Sequence, residues 1–276
     1  MVPIFVYVLF YAHEISCRGY DYGRDACINL TNFRVQLPRR AYEASFQGPW
    51  QGDAEFRLAS PIVSCPPGST LTGFAKRDAR KAACFPFHDS TPCIVYSVGS
   101  ANRYGFEEQI LKRTTCEVHT FDCTVSGKSI HPNHKYHPFC LGSAVQAQNF
   151  KHFKTLQQLM DMLGHANLSF LKMDIEGYEF DVVFSWDISS RLPSQIAFEL
   201  HARSMYALTN SAKEAATRDM HTHLMLSRPR HLQVIDTSML LMHLANLGFA
   251  TVSRDDSSRG KSCTELLVQR VCSGSS

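Results

Sequence analysis

Two pairs of polar side chains, each spaced by two residues, end apolar segments of strand length. Asp174 and Glu176 follow the apolar run that ends at Met173, and Glu199 and His201 end another. Successive residues of a strand face opposite sides of the sheet, so the members of each pair point the same way. Carboxylates and an imidazole can take up protons or hold a divalent ion. We therefore predict that the two pairs converge at one catalytic site.

Several chemical roles are open to these pairs. His201 is the best candidate for a general base, because the ordinary pKa of an imidazole lies close to neutral; a purely structural role for this histidine stays open. Together with the first pair, Glu199 and His201 have the donor atoms to hold a divalent ion, but we favour a site without metal. For Asp174 and Glu176 alone, the competing interpretation is a solvated acidic turn.

A second candidate site is the turn that follows the apolar segment 93–99. Gly99 allows the backbone to approach a ligand closely, and small polar side chains beside it can form hydrogen bonds: Ser97, Ser100 and Asn102. Asp122 lies twenty-three residues after Gly99, the spacing at which an acidic residue accepts the ribose hydroxyls of an adenosine-containing cofactor. The alternative for Asp122 is an Asx turn or a helix cap.

Strand and helix patterns alternate from residue 91 onward and would position these residues. Apolar segments of strand length lie at 93–99, 117–122, 139–145, 168–175 and 195–201. Helical patterns lie at 106–113, 154–163, 211–226 and 237–247. Two further strand patterns joined by a polar turn end the chain as a hairpin. This order predicts a mainly parallel three-layer α/β sheet with one antiparallel edge.

The chain before residue 91 has a different character. Residues 1–16 are predicted to be a signal peptide or anchor, since MVPIFVYVLFYA is apolar but too short to span a bilayer. No Lys or Arg precedes this run, so a buried strand or a truncated gene model stays open. Residues 17–90 are predicted to be a Cys-containing extension packed on the domain 91–276. Within it we expect a loop at 64–74 and a short helix at 78–84.

Composition narrows the class of protein. The chain has 276 residues, of which 44% are hydrophobic and 19% charged, as in a globular protein. A net charge of +3 with scattered basic residues indicates no nucleic-acid partner. Ten cysteines and no CxxC pair favour disulfides in the secretory pathway, with a cytoplasmic location as the alternative. The apolar N-terminal run is the sole candidate for membrane attachment.

A histidine pattern and a cysteine pair are not predicted to form a metal site or a disulfide. His131, His134 and His137 recur at every third position, but the prolines between them and the lack of a nearby Cys favour a polar loop over a metal site. Cys263 and Cys272 bracket one predicted strand, which is too long for these two residues to bridge each other.

Four segments together resemble the class I methyltransferases of the methyltransferase-like or FkbM-type group: IVYSVGSANRYGFE, EVHTFD, FLKMDIEGYEFDVV and QIAFELH. The resemblance covers residues 91–272, and LKMDIEGYE is its most specific part. It implies a Rossmann-like three-layer sandwich with a seven-stranded sheet, and S-adenosylmethionine as cofactor. It also implies that Gly99 and its neighbours lie under the methionine and ribose and that Asp122 holds the ribose. Asp174 and Glu176 would then face the methyl-transfer site.

The resemblance predicts methyl transfer to an oxygen or nitrogen atom of an unidentified acceptor, which is a small molecule, glycan or protein. The sequence departs from the pattern at Ser97, where many methyltransferases have an acidic residue, and at Ser100 or Ala101, where many have a second glycine. These departures keep open a non-catalytic secreted or membrane-anchored module with a degenerate fold. An NAD-dependent oxidoreductase is a further alternative, although the sequence has neither GxGxxG nor Tyr-x-x-x-Lys.

Overall fold

The computed structural model describes residues 15–16, 23–45, 52–74, 81–87, 92–201, 234–256 and 263–274. Almost all of the predicted signal segment and the whole predicted helix at 211–226 lie outside the described residues. Among the helices that are described, none combines the length and the apolar character needed to cross a membrane.

Thirteen strands and six α-helices are described. The strands are β1 Ile15–Ser16, β2 Thr70–Phe74, β3 Lys81–Phe85, β4 Ile94–Val98, β5 Glu117–Phe121, β6 His134–His137, β7 Cys140–Leu141, β8 Phe153–Lys154, β9 Phe170–Met173, β10 Gln195–His201, β11 Phe249–Asp255, β12 Cys263–Arg270 and β13 Ser273–Gly274. The helices are α1 Gly23–Ser45, α2 Gly105–Arg113, α3 Ala144–Asn149, α4 Leu156–Leu163, α5 Glu179–Phe184 and α6 Val234–Asn246, with a 3-10 helix at Gly52–Ala59.

The central sheet has seven strands in the order β11-β12-β10-β9-β4-β5-β6. The sheet is Rossmann-like and mainly parallel, and it ends in a C-terminal antiparallel hairpin, as predicted. The predicted antiparallel edge is formed by this hairpin. Strand β12 lies between β10 and β11 and is antiparallel to both, so the edge strand β11 runs parallel to the rest.

Two layers cover the faces of the sheet. On one face, side chains of α1, α4, α5 and α6 form the larger core, which includes Leu30, Tyr96 and Phe198. On the other face, the β2–β3 hairpin and α2 form a second core, which includes Phe74 and Phe106. Residues before position 91 thus contribute to both cores.

Three local predictions were wrong. The third strand of the sheet is β6, inside the stretch predicted as a polar loop, whereas the segment 139–145 holds only the two-residue β7 and the start of α3. Strand β6 has no apolar run because its buried residue is a histidine, His134. The predicted loop at 64–74 contains β2, and the predicted helix at 78–84 is replaced, over its described part, by β3.

The β2–β3 hairpin is tied to the sheet by directional bonds. The amide of Gln195 at the start of β10 accepts a hydrogen bond from the Cys84 backbone N–H at 2.8 Å and donates one to its carbonyl at 3.0 Å. Cys65 and Cys84 form a disulfide within the same segment. These bonds hold β3 over the sheet, where its first residue reaches the candidate active site.

Three more disulfides join distant parts of the chain: Cys27–Cys272, Cys93–Cys116 and Cys123–Cys140. Cys272 bonds to Cys27 of α1 and not to Cys263, as the length of the intervening strand requires. Four disulfides are typical of proteins that mature in an oxidising compartment.

Candidate active site

The turn after β4 is shaped by a close approach of two strand ends. Gly99 has φ +76°, and a Cβ atom on it would lie 1.8 Å from the carbonyl oxygen of Asp174. Any other residue would therefore push β4 and β9 apart. The single glycine of this turn is explained by the neighbouring backbone.

Asp122 holds this turn in place. Its Oδ2 atom accepts hydrogen bonds from the backbone N–H groups of Ser100 and Ala101 at 3.0 and 2.8 Å. Its Oδ1 atom accepts hydrogen bonds from the backbone N–H and the hydroxyl of Thr124 at 2.9 and 2.6 Å. Asp122 is 5% exposed, so the carboxylate is a buried link between the carboxyl ends of β4 and β5.

A cavity of about 300 Å³ lies at the carboxyl ends of β4, β5 and β9. Five of the predicted site residues belong to its wall: Gly99, Ser100, Asp122, Asp174 and Glu176. A crevice at the carboxyl ends of the strands is where open α/β sheets bind their ligands. The structure therefore places both halves of the predicted site around one space.

Two predicted cofactor-binding residues lie elsewhere. Ser97 is completely buried, and its hydroxyl has no hydrogen-bond partner among the described residues. The side chain of Asn102 donates a hydrogen bond to the Ser126 carbonyl at 3.0 Å and accepts one from the Tyr104 hydroxyl at 3.1 Å. Asn102 thus stabilises the loop beside the cavity and does not line it.

Glu107 is a wall residue that sequence reasoning missed. It lies on α2, is 1% exposed, and accepts a hydrogen bond from the Thr120 hydroxyl at 3.2 Å through Oε1. Its Oε2 atom has no partner in the part of the chain that the structure describes. A buried carboxylate with a free acceptor atom is costly unless something bonds to it. The only sequence signal was its place between Phe106 and Ile110 on the apolar face of the helix.

Lys172 is a second missed residue of the wall. Its ammonium group donates hydrogen bonds to the carbonyl oxygens of Val98, at 3.1 Å, and of Gly99. Burial lowers the pKa of Lys172, and Asp174 and Glu107 oppose that shift. The side chain fixes the end of β4 and brings positive charge to the base of the cavity.

The two predicted pairs converge because β9 and β10 are parallel neighbours. One potential ligand atom from each of Asp174, Glu176 and His201 lies within 4.8 Å of the others. Nε2 of His201 lies 3.4 Å from a Glu176 oxygen and 4.0 Å from a Glu199 oxygen. Asp174 and Glu176 face the cavity, and the β10 pair supports them from behind.

The environment of His201 differs from that of a general base. Burial lowers the pKa of His201, but Glu179, Glu176 and Glu199 raise it more strongly, to about 10. Nδ1 of His201 lies 3.3 Å from a carboxylate oxygen of the fully buried Glu179. The imidazole is therefore protonated at neutral pH, which argues against the predicted role as a proton acceptor.

Lys81, the first residue of β3, is the unforeseen centre of this cluster. It is completely buried, and its Nζ atom lies 3.4 Å from Asp174, 3.6 Å from Glu199 and 2.5 Å from Glu265. Burial lowers the pKa of Lys81, but the three carboxylates outweigh burial and raise it. The ammonium group thus compensates carboxylates from β9, β10 and β12.

The pKa values of the carboxylates in this cluster are shifted in different directions. Burial raises the pKa of Asp174, but Lys172 and Lys81 outweigh burial and lower it. For Glu265, burial prevails over Lys81 and raises the pKa to about 7. Partial burial, together with the neighbouring carboxylates, raises the pKa of Glu176 against the effect of His201. Glu176 is the only one of these three whose side chain is more than half exposed, at 55%.

A divalent ion is disfavoured at this cluster. The Lys81 ammonium already supplies positive charge beside Asp174, and a protonated His201 has no free lone pair for a metal.

The sequence was compared with families of known proteins. The model of a family described as "Methyltransferase domain" matches residues 59–225, which is more than half of the chain. The chain belongs to this methyltransferase family. The match includes the β2–β3 hairpin as well as the cavity, so the hairpin that supplies Lys81 belongs to the matched region. The match does not address the FkbM-type grouping, which stays a prediction.

Similarity of this chain to solved structures is weak. No curated protein matches the sequence. A mutant form of the 16S rRNA (adenine(1408)-N(1))-methyltransferase from Catenulisporales acidiphilia has a TM-score of 0.37 and 13% identity, over 72% of this chain and 98% of that chain. The methyltransferase CalO6 has a TM-score of 0.31 and 13% identity, over 67% of this chain and 58% of that chain. A structure titled "A Pericyclic Reaction enzyme" has a TM-score of 0.32 and 8% identity, over 64% of this chain and 43% of that chain. Likenesses this distant carry no functional inference.

Proposed function

We propose that this methyltransferase uses S-adenosylmethionine and methylates an oxygen or nitrogen atom of its acceptor. The observation that carries the proposal is that the loop 174–178 borders the cavity on one side and the His201 cluster on the other. When bound, S-adenosylmethionine supplies an electrophilic methyl group. Transfer then requires alignment and an acceptor that loses its proton.

Two residues of the cavity wall suit the cofactor. Glu107 offers a buried free acceptor atom to a hydroxyl or ammonium group, and Arg103 offers a cation at the wall for a carboxylate. Asp122 is the predicted ribose partner, but its oxygens already accept hydrogen bonds. A ribose hydroxyl would have to replace the Thr124 or Ser100 hydroxyl there. We therefore assign Asp122 first to the shape of the turn.

Glu176 is the best candidate to take the proton of the acceptor. It lies in the wall of the cavity, is exposed, and has a raised pKa, which makes its carboxylate a better base. It also has φ +56°, which is uncommon outside glycine and typical of residues held for function. His201 holds the carboxylate as a positioning residue through its imidazolium.

One of the two alternatives is weakened. Membership of the methyltransferase family disfavours an NAD-dependent oxidoreductase. The contact with Asp174 requires a glycine at position 99, but it does not account for the missing second glycine at Ser100 or Ala101, which keeps a degenerate module open. The unpartnered hydroxyl of Ser97, within the described residues, still favours that second candidate.

The test of the proposal is calorimetry of S-adenosylmethionine with a matched pair of variants. Glu107→Gln should weaken binding at least tenfold, because a charged acceptor is lost from a buried site. Glu108→Gln changes the exposed neighbour on the same helix and should bind normally. Wild-type protein that does not bind S-adenosylmethionine would favour the degenerate module.

We also propose that the protein matures in the secretory pathway, which the four disulfides support. Eight of the ten cysteines are then bonded, so thiol titration of the denatured, unreduced protein should find at most two thiols. A count near ten in protein isolated from its native source would contradict this location.

A further inference from the structure

A second cluster of potential ligands lies on the opposite face of the sheet. One ligand atom from each of Glu117, His119 and His165 lies within 4.8 Å of the others. Glu117 and His119 share a face of β5, near the end of the strand that is remote from the cavity. His165 follows Gly164, which ends α4 in the left-handed conformation and turns the chain back towards β5.

Each imidazole of this cluster is oriented by a second side chain. Nδ1 of His119 lies 2.9 Å from Nε2 of His137, and Nδ1 of His165 lies 2.7 Å from the hydroxyl of Tyr96. These bonds leave Nε2 of both histidines available. Metal-binding histidines are commonly held through the other ring nitrogen in this way.

One of the ligand atoms is buried without a hydrogen-bond partner. His119 is completely buried, and its Nε2 atom makes no well-aligned hydrogen bond within the described residues. It lies 3.1 Å from Oε1 of Glu117. A buried polar atom in such a position calls for a ligand, because leaving it unsatisfied costs free energy.

We propose that Glu117, His119 and His165 bind a zinc ion. Two imidazoles and one carboxylate are a known donor set for zinc, which then keeps a fourth position for water or another ligand. The ion would link β5 to the turn after α4. The inference is independent of methyl transfer, since none of the three residues lines the cavity.

The ammonium group of Lys135 would compete with a zinc ion for the carboxylate of Glu117. Its ammonium group forms an ion pair with Glu117, and the Lys135 side chain is 56% exposed. A zinc ion would have to displace it from Glu117. Removing the ammonium should therefore strengthen zinc binding, whereas removing a ligand should weaken it.

The test is zinc titration of the full chain after treatment with a chelator. Wild-type protein should bind one zinc ion, and His165→Gln and Glu117→Gln should each weaken binding at least tenfold. His152→Gln replaces an exposed histidine and should bind like the wild type, while Lys135→Gln should bind more tightly. X-ray absorption should show nitrogen and oxygen ligands at about 2.0–2.1 Å.

Several outcomes would overturn the site. They are the absence of zinc binding by the wild-type protein, equal affinity in His165→Gln and His152→Gln, or loss of zinc in Glu176→Gln alone. Circular dichroism of each variant checks that folding is retained. Because Glu117 is partly exposed, Glu117→Gln provides a second ligand variant if His165→Gln fails to fold.

Discussion

The two faces of the sheet hold clusters of the same residue types in opposite charge states. At the cavity, carboxylates surround His201 and raise its pKa to about 10. On the other face, His119 is surrounded by other imidazoles, and burial lowers its pKa to about 3. Both histidines lie on central strands and are almost completely buried. Burial lowers the pKa of both histidines, so the difference lies in the neighbours: the carboxylates around His201 outweigh burial, whereas Glu117 beside His119 does not.

The test with the largest expected effect removes the Lys81 ammonium group from the cluster at the cavity. Lys81→Met should lower the free energy of unfolding by about 3–5 kcal/mol, because it leaves buried carboxylates without their counter-charge. Denaturant unfolding measures the loss. Lys112→Met, on the exposed face of α2, is the control and should change stability by less than about 0.5 kcal/mol. Equal stability of the two variants would mean that Lys81 does not neutralise the cluster.

The next test separates the base from its positioning residue. Glu176→Gln should lower methyl transfer by about 10²–10⁴-fold, the range of a general base, while binding of S-adenosylmethionine stays within about threefold. The assay measures transfer of labelled methyl to an acceptor once that acceptor is found. Glu176→Asp keeps a carboxylate and should retain part of the activity. Full activity of Glu176→Gln would assign the proton to another group.

The smallest expected effect is on the pH dependence of stability. His201 has a raised pKa when folded, so its contribution is complete below about pH 6.5 and is lost as the pH rises towards about 10. His119 has a lowered pKa, so its contribution is present above about pH 6.5 and is lost as the pH falls towards about 3.

The melting temperature measures both effects as differences between wild type and variant. The difference between wild type and His201→Gln should shrink by several °C between pH 7.5 and pH 10. The difference between wild type and His119→Gln should stay constant in that window and shrink below pH 6. If both differences change in the same window, the contrast between the clusters is wrong.

Much of the fold was predictable because it depends on local patterns. The strands β4, β5, β9 and β10 are apolar or alternating runs, and the helices α2 and α4 have regular apolar stripes. Strand β6 was missed because histidines replace its apolar residues. The β2–β3 hairpin was missed because its strands are stabilised by a disulfide and by the side chain of Gln195, which are distant in sequence.

The site was predictable where it depends on the spacing of polar residues at the end of a single strand. The spacing of Asp174 and Glu176, and of Glu199 and His201, places each pair on one face, and parallel pairing of β9 with β10 brings the pairs together. Lys81 and Glu107 could not be found in this way. In sequence each is an ordinary charged residue, and only burial beside particular partners makes it part of the site.

The sequence by itself determined the alternation of strands and helices and the positions of the polar strand ends. These are properties of single segments, set by side-chain periodicity and backbone sterics. Only the tertiary structure decided the charge states of His201 and His119, the function of Asp122 as a link between two turns, and the approach of Lys81. Electrostatic energies depend on distance and burial, and both are created when segments far apart in the chain pack together.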